Sequence, residues 1–194
     1  MKIEDELPEQ LAEILNSLAF EEDEVYIEIN SVTFKPRELC LKFSFHYDNP
    51  TPSQYWQLNA SEVRQERIVR EWLRYLKLYK QHPLLLPYKD AYAELKFKGT
   101  TPHYRELCAD LYMSLFTLTD EITELRHYVF APEMIKEYCQ QASGLFAGGS
   151  KTILMLYQQC LTKYGIHSYF LNEKESVLED DNLKLFQLGS SYVK

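Results

Sequence analysis

The chain has 194 residues, a formal net charge of −8 and a pI of about 5.2, with 45% hydrophobic and 14% aromatic residues. Six Gly and eight Pro exclude a collagenous or low-complexity chain, and the mass suffices for one substantial core. A net negative surface repels phosphate, so nucleic acid is disfavoured as a partner.

No apolar run reaches the ~18 residues of a membrane span. The acidic start MKIEDELPEQ is unlike a secretory signal. Cys40, Cys108, Cys139 and Cys160 are widely spaced with no CxxC pair, which is poor metal spacing and fits reduced thiols. These features lead us to expect a soluble, acidic, cytoplasmic protein that does not enter a membrane.

In chain order, Leu7, Leu11, Ile14, Leu15 and Leu18 recur at helical spacing behind Pro8, which a first helical turn tolerates. Glu21 to Glu24 reads as a solvated connection. Val25, Ile27 and Ile29 then alternate with polar residues, and the phase slips so that Val32 and Phe34 take the other parity. A slip of one residue predicts a bulge near Asn30-Ser31. Leu39, Leu41, Phe43, Phe45 and Tyr47 form the clearest alternating strand, and Tyr55 to Leu58 resumes after a Pro-rich loop. Three strands with short links imply an antiparallel meander.

From Glu62 to Lys80 the period becomes helical, with Ile68, Val69, Trp72, Tyr75, Leu76 and Tyr79 on one side. Arg67, Arg70, Arg74 and Lys77 gather opposite, and Pro83 ends the segment. Ala91, Ala93, Leu95 and Phe97 predict another strand. A long helix near 102–127 follows, capped by Thr101 and striped by Tyr104, Leu107, Cys108, Leu111, Leu115, Leu118, Ile122 and Leu125. Pro132 opens a further helix, read as continuing toward Gly148-Gly149. Ser150 is placed to cap the next, which Gly165 ends. Ile166 to Leu171 and Leu183 to Leu188 read as strands. The expected fold is a single α+β domain over 1–194, with a β-rich front at 1–99 and a mainly helical back at 100–194. It has an antiparallel sheet of about five or six strands packed by about five helices.

The chemistry-bearing patterns are thin. Gly144 to Thr152 is rich in Gly near Lys151-Thr152, but Ser150 interrupts the Gly-Lys-Ser/Thr order of a phosphate loop. Glu124 with His127, and His103 with Glu106, have i, i+3 spacing without the repeats that a metal centre needs. Cys40, Ser44 and His46 share a strand face. Cys40 lies about 20 Å from His46 along a strand, and Ser44 with His46 lacks an acid that the sequence can place.

The basic residues Arg67, Arg70, Arg74 and Lys77 make the most coherent surface feature and are the candidate partner-binding residues, suited to an acidic partner. Nearby Glu66 and Glu71 also fit a plain solvated helix. The function expected is non-catalytic action through protein contacts, as adaptor, regulator or subunit, with no cofactor or metal named and assembly with copies of itself left open. The alternatives are a small-molecule-binding protein or unfamiliar enzyme with a Tyr/His-lined pocket and, behind it, a nucleic-acid-associated protein using the basic helix.

Overall fold

The structure, a computed structural model, describes residues 3–4, 7–16, 25–48, 50–69, 73, 75–119, 132–175, 183–189 and 191–194. It is α+β, as the periodicities predict. The single sheet of five or six strands is not what forms. Among the described residues there are three antiparallel sheets, of five, three and three strands. The chain divides into two compact units, Met1–His82 with Asp181–Lys194, and Pro83–Asp180. No helix among the described residues is long and apolar enough to cross a membrane.

In the first unit, helix α1 (Glu9–Leu15) follows Pro8 and buries Leu11 and Ile14. Strands β2 (Val25–Lys35), β3 (Glu38–Tyr47) and β4 (Gln54–Ser61) pair in sequence order as the expected meander. The slip is a bulge. Pairing passes from Ile29↔Phe43 to Ser31↔Lys42 and omits Asn30, which returns Val32 to the face of Leu41. Ile27, Leu41, Phe43 and Phe45 are buried on that face.

Against them pack Leu76, Phe186, Leu188 and Val193, from the five-stranded sheet of the same unit. This sheet runs in the order β1 (Ile3–Glu4), β6 (Leu76–Gln81), β10 (Leu185–Leu188), β11 (Ser191–Val193), β5 (Glu66–Arg67). The helix expected over 62–80 is therefore corrected, with strands at 66–67 and 76–81. The reason is tertiary. Leu78 pairs with Phe186 while Tyr79 pairs with both Leu185 and Glu4, so the backbone of β6 is bonded on two sides. Leu76 and Tyr79 are both buried yet point to opposite faces, and apolar residues at both parities imitate a helical stripe. At Gly189, φ is +57° and an added Cβ would overlap the buried Leu73, so the turn after β10 requires glycine.

The second unit opens with a 3-10 turn (Pro83–Leu85) and the short helix α2 (Leu86–Lys89). Its sheet has β7 (Tyr92–Lys98) at the centre, flanked by β8 (Ser143–Ser150) and β9 (His167–Lys174). Helices α3 (Tyr104–Leu118), α4 (Pro132–Gln140) and α5 (Lys151–Lys163) contribute Leu107, Leu111, Leu115, Ile135 and Tyr157 to one core with Ala93, Leu95 and Phe97 of β7. The long helix is shorter than expected at its start, because Thr101 accepts the His103 N–H (3.3 Å) and the helix begins at Tyr104. Ile122, Leu125 and the stretch to 127 lie outside the described residues.

The helix expected to run toward Gly148-Gly149 is also corrected, since residues 143–150 form an edge strand. Glycine is a poor strand former in isolation. Here Gly144 lies against the Phe97 ring and Gly148 beneath the Tyr92 hydroxyl, both close to where a Cβ would stand. Ser150 caps α5 as expected, accepting from the Ile153 N–H (3.4 Å), and Gly165 at φ +75° ends it.

Candidate functional site

Of the basic residues, Arg70 and Arg74 lie outside the described residues. Arg67 and Lys77 are brought to one face by sheet register rather than by a helix. Lys77 pairs with Gln187, Gln187 with Tyr192, and Tyr192 with Arg67, so the four occupy one cross-strand row. Three strand spacings set the two cations roughly 14 Å apart. Lys194 is on the same side, its Nζ 5.8 Å from the centre of the Tyr192 ring, and burial pushes its ammonium pKa down to about 8. Gln187 is buried in this row and donates to the Tyr75 hydroxyl (2.9 Å) and the Gly189 carbonyl (3.2 Å).

The Gly-rich segment before Lys151 does join a strand to a helix. Its helix N-terminus is already filled, however. The Asp90 carboxylate accepts from the Ser150 hydroxyl and from the Thr152 N–H (2.8 Å), while the Lys151 N–H bonds to the Ala91 carbonyl (2.8 Å). Burial raises the Asp90 pKa, but the hydrogen bonds from Ser150, Thr152 and Ala91 outweigh it and hold the carboxyl below its usual value. An internal anion thus occupies the position that a phosphate would take at the helix dipole.

Ser44 and His46 are in contact, and the structure supplies the acid that the sequence could not place. Glu28 stands across from Ser44 in the β2–β3 register. His46 Nε2 is 2.8 Å from Ser44 Oγ and 3.1 Å from Glu28 Oε2, and Nδ1 is 3.1 Å from Ser53 Oγ. Asn30 donates to Ser44 (3.0 Å), and the Tyr26 ring stacks on the imidazole at 5.1 Å.

Ser44 is fully buried, so its hydroxyl is closed to a substrate. Ser53 and Glu28 do occupy opposite ring nitrogens, the outline of a proton relay. A depression of about 380 Å³ opens elsewhere, at the other end of β3, lined by Thr33, Lys35, Glu38, Cys40, Asn59 and Ser61 among others. Its lining holds no Tyr or His. The cluster ties β2, β3 and the segment at Ser53 together.

None of the four cysteines is in a disulfide, and burial pushes the Cys139 thiol pKa upward. His103 Nδ1 lies 3.6 Å from Glu106 Oε1 on an exposed helix start, while Glu124 and His127 are outside the described residues. Among the described residues no group of three or more His, Cys, Asp or Glu is placed to hold a metal.

The surface that sequence reasoning missed is the open face of the β8–β7–β9 sheet. Helices α3, α4 and α5 contribute to the core formed with Ala93, Leu95 and Phe97, whose face is buried. The opposite face carries Tyr92, Leu145, Tyr169 and Leu171, each 39–44% exposed. Register fixes their neighbours. Leu145, Lys96 and Tyr169 form one row, and Gly148, Glu94 and Leu171 form the next. Asn172 donates to Glu94 Oε2 (2.8 Å) and orients it. Strands β7 and β9 were readable in the sequence, but β9 is apolar at both parities, which hides its open side, and glycine-rich β8 was not read as a strand.

No family model, curated protein or solved structure matches this chain.

Proposed function

We propose that this chain works through protein contacts and that the open face of the β8–β7–β9 sheet is its docking surface. The observation that carries the reading is the gathering of four large apolar side chains, 39–44% exposed, on the sheet face opposite the buried core. Scattered exposed apolar residues need no explanation, but a contiguous group of this kind marks a contact surface. Tyrosine suits such a site, with a broad apolar ring and a polar end for hydrogen bonding. Separately from that face, Arg67 and Lys77 of the first unit are proposed as basic contacts for an acidic segment of a partner.

The test is a photo-crosslinking residue placed at Tyr169 in the protein's own cellular setting, with the same residue at exposed Met113 of α3 as control. Defined adducts at Tyr169 and none at Met113 are expected. Equal labelling at both positions, or none at Tyr169, would remove the docking role.

A further inference from the structure

We infer that the occupant of this face is a second copy of the chain, docked face to face about a two-fold axis. This rests on the docking reading above and names its partner. The charges and shapes of this face are self-complementary in the register of the sheet.

Consider two copies of the face related by a two-fold axis that lies in the interface and crosses the strands between the Glu94 and Lys96 rows. Such an axis keeps each strand over its own counterpart and exchanges the rows on either side of it. Glu94 then faces Lys96 of the other copy, and Lys96 faces Glu94, on the central strand. The two residues are about 7 Å apart along β7 and both half-exposed. Lys96 has no ion pair within the described residues, although it stands between Leu145 and Tyr169 in its row. The other copy would supply the missing carboxylate, and the desolvation caused by the surrounding apolar groups would strengthen the pair.

The same operation brings Leu171 against Tyr169 and the Leu145 side chain against the row of Gly148. Tyr92 lies over Gly148, where an added Cβ would stand 2.7 Å from the tyrosine hydroxyl. Leu145 therefore meets a flat aromatic surface. Tyr92 itself faces Lys98, placing a ring against an ammonium. The twist of each sheet leaves the two strand directions within about 30° of each other, the ordinary aligned packing of sheets.

Size sets the strength. Seven residues of β7 and three strands give a footprint of roughly 23 by 14 Å. This is below the ~800 Å² per partner of a standard interface, so a weak, concentration-dependent dimer is expected.

Sedimentation velocity from about 1 to 500 µM reads this directly, a range that brackets micromolar affinity. The native chain should move from monomer to dimer across that range. Glu94→Lys and Lys96→Glu should each weaken dimerisation about tenfold or more by opposing like charges, and the double exchange should recover it to within about threefold. Circular dichroism checks that every variant is folded, and Leu145→Arg serves in place of Glu94→Lys if losing the Asn172 bond prevents folding. A native chain monomeric throughout, or folded variants in which the exchange restores nothing, would overturn the inference. A monomeric chain whose Tyr169 position still crosslinks to a different protein would overturn self-docking alone and leave the docking surface standing.

Discussion

The two three-stranded sheets are built alike on their inner faces and differently on their outer ones. In β2–β3–β4, Leu41, Phe43 and Phe45 point inward and the other side is mainly polar, with exposed Tyr55 beside groups bonded to one another around His46. In β8–β7–β9, Ala93, Leu95 and Phe97 point inward and the other side carries Tyr92, Leu145, Tyr169 and Leu171. A pleated strand that buries one face leaves the residues between free to differ. One sheet uses them to fasten its own strands and the other leaves an apolar face in contact with water, at a cost that contact with a partner would offset. The difference separates a face that fastens its own strands from one left open to water, although both sheets alternate in the same way.

The inner faces give the largest expected effects and test the likeness. Phe45 and Leu111 are both fully buried, one in each unit's core. Phe45→Ala should destabilise by about 3–5 kcal/mol and Leu111→Ala by about 2–5 kcal/mol, measured by urea unfolding. A loss under about 0.5 kcal/mol at either position would mean that the residue does not pack as described.

How far this architecture could be read from sequence follows from the same faces. The β2–β3–β4 meander and its bulge were legible because one parity is apolar and the other polar throughout β3, so even a one-residue slip leaves a trace. Helices α3 and α5 were legible from their stripes and from Ser150 and Gly165 at the ends of α5. Strand β6 was not, because Leu76 and Tyr79 are buried on opposite faces and their spacing of three looks helical. Strand β8 was hidden by glycines whose reason is the Phe97 and Tyr92 side chains from a distant segment. The acid beside His46 and the carboxylate at the start of α5 come from Glu28 and Asp90. Those contacts span 18 and 60 residues of chain, and only strand pairing and packing create them.

A medium effect is expected at Asp90, which does for the second unit's helix start what the His46 cluster does for β2–β3. Asp90→Ala removes the acceptor of the Ser150 hydroxyl and the Thr152 N–H and should cost about 1–2 kcal/mol at pH 7. The folded-state pKa is depressed, so the ionised group's contribution is present above its unfolded value near 3.8 and is lost as pH falls through the lower folded value. The gap between native and variant stability should therefore narrow on acidification below about pH 4. A gap that stays constant from pH 7 to pH 3 would show that the charge contributes nothing there.

The smallest effects decide whether the outer faces really differ. Ser44→Ala removes a fully buried hydroxyl that accepts from Asn30 Nδ2 and lies 2.8 Å from His46 Nε2, which keeps Glu28, and should cost about 1 kcal/mol. Tyr169→Ser alters a residue that is 44% exposed, and should change stability by less than about 0.5 kcal/mol in dilute, monomeric solution. A polar face that fastens strands loses stability when one hydroxyl is removed. An apolar face that serves contact loses association and keeps its fold. If Tyr169→Ser proved as destabilising as Ser44→Ala in dilute solution, the open face would be part of the unit's own packing, and the two sheets would be alike on both sides.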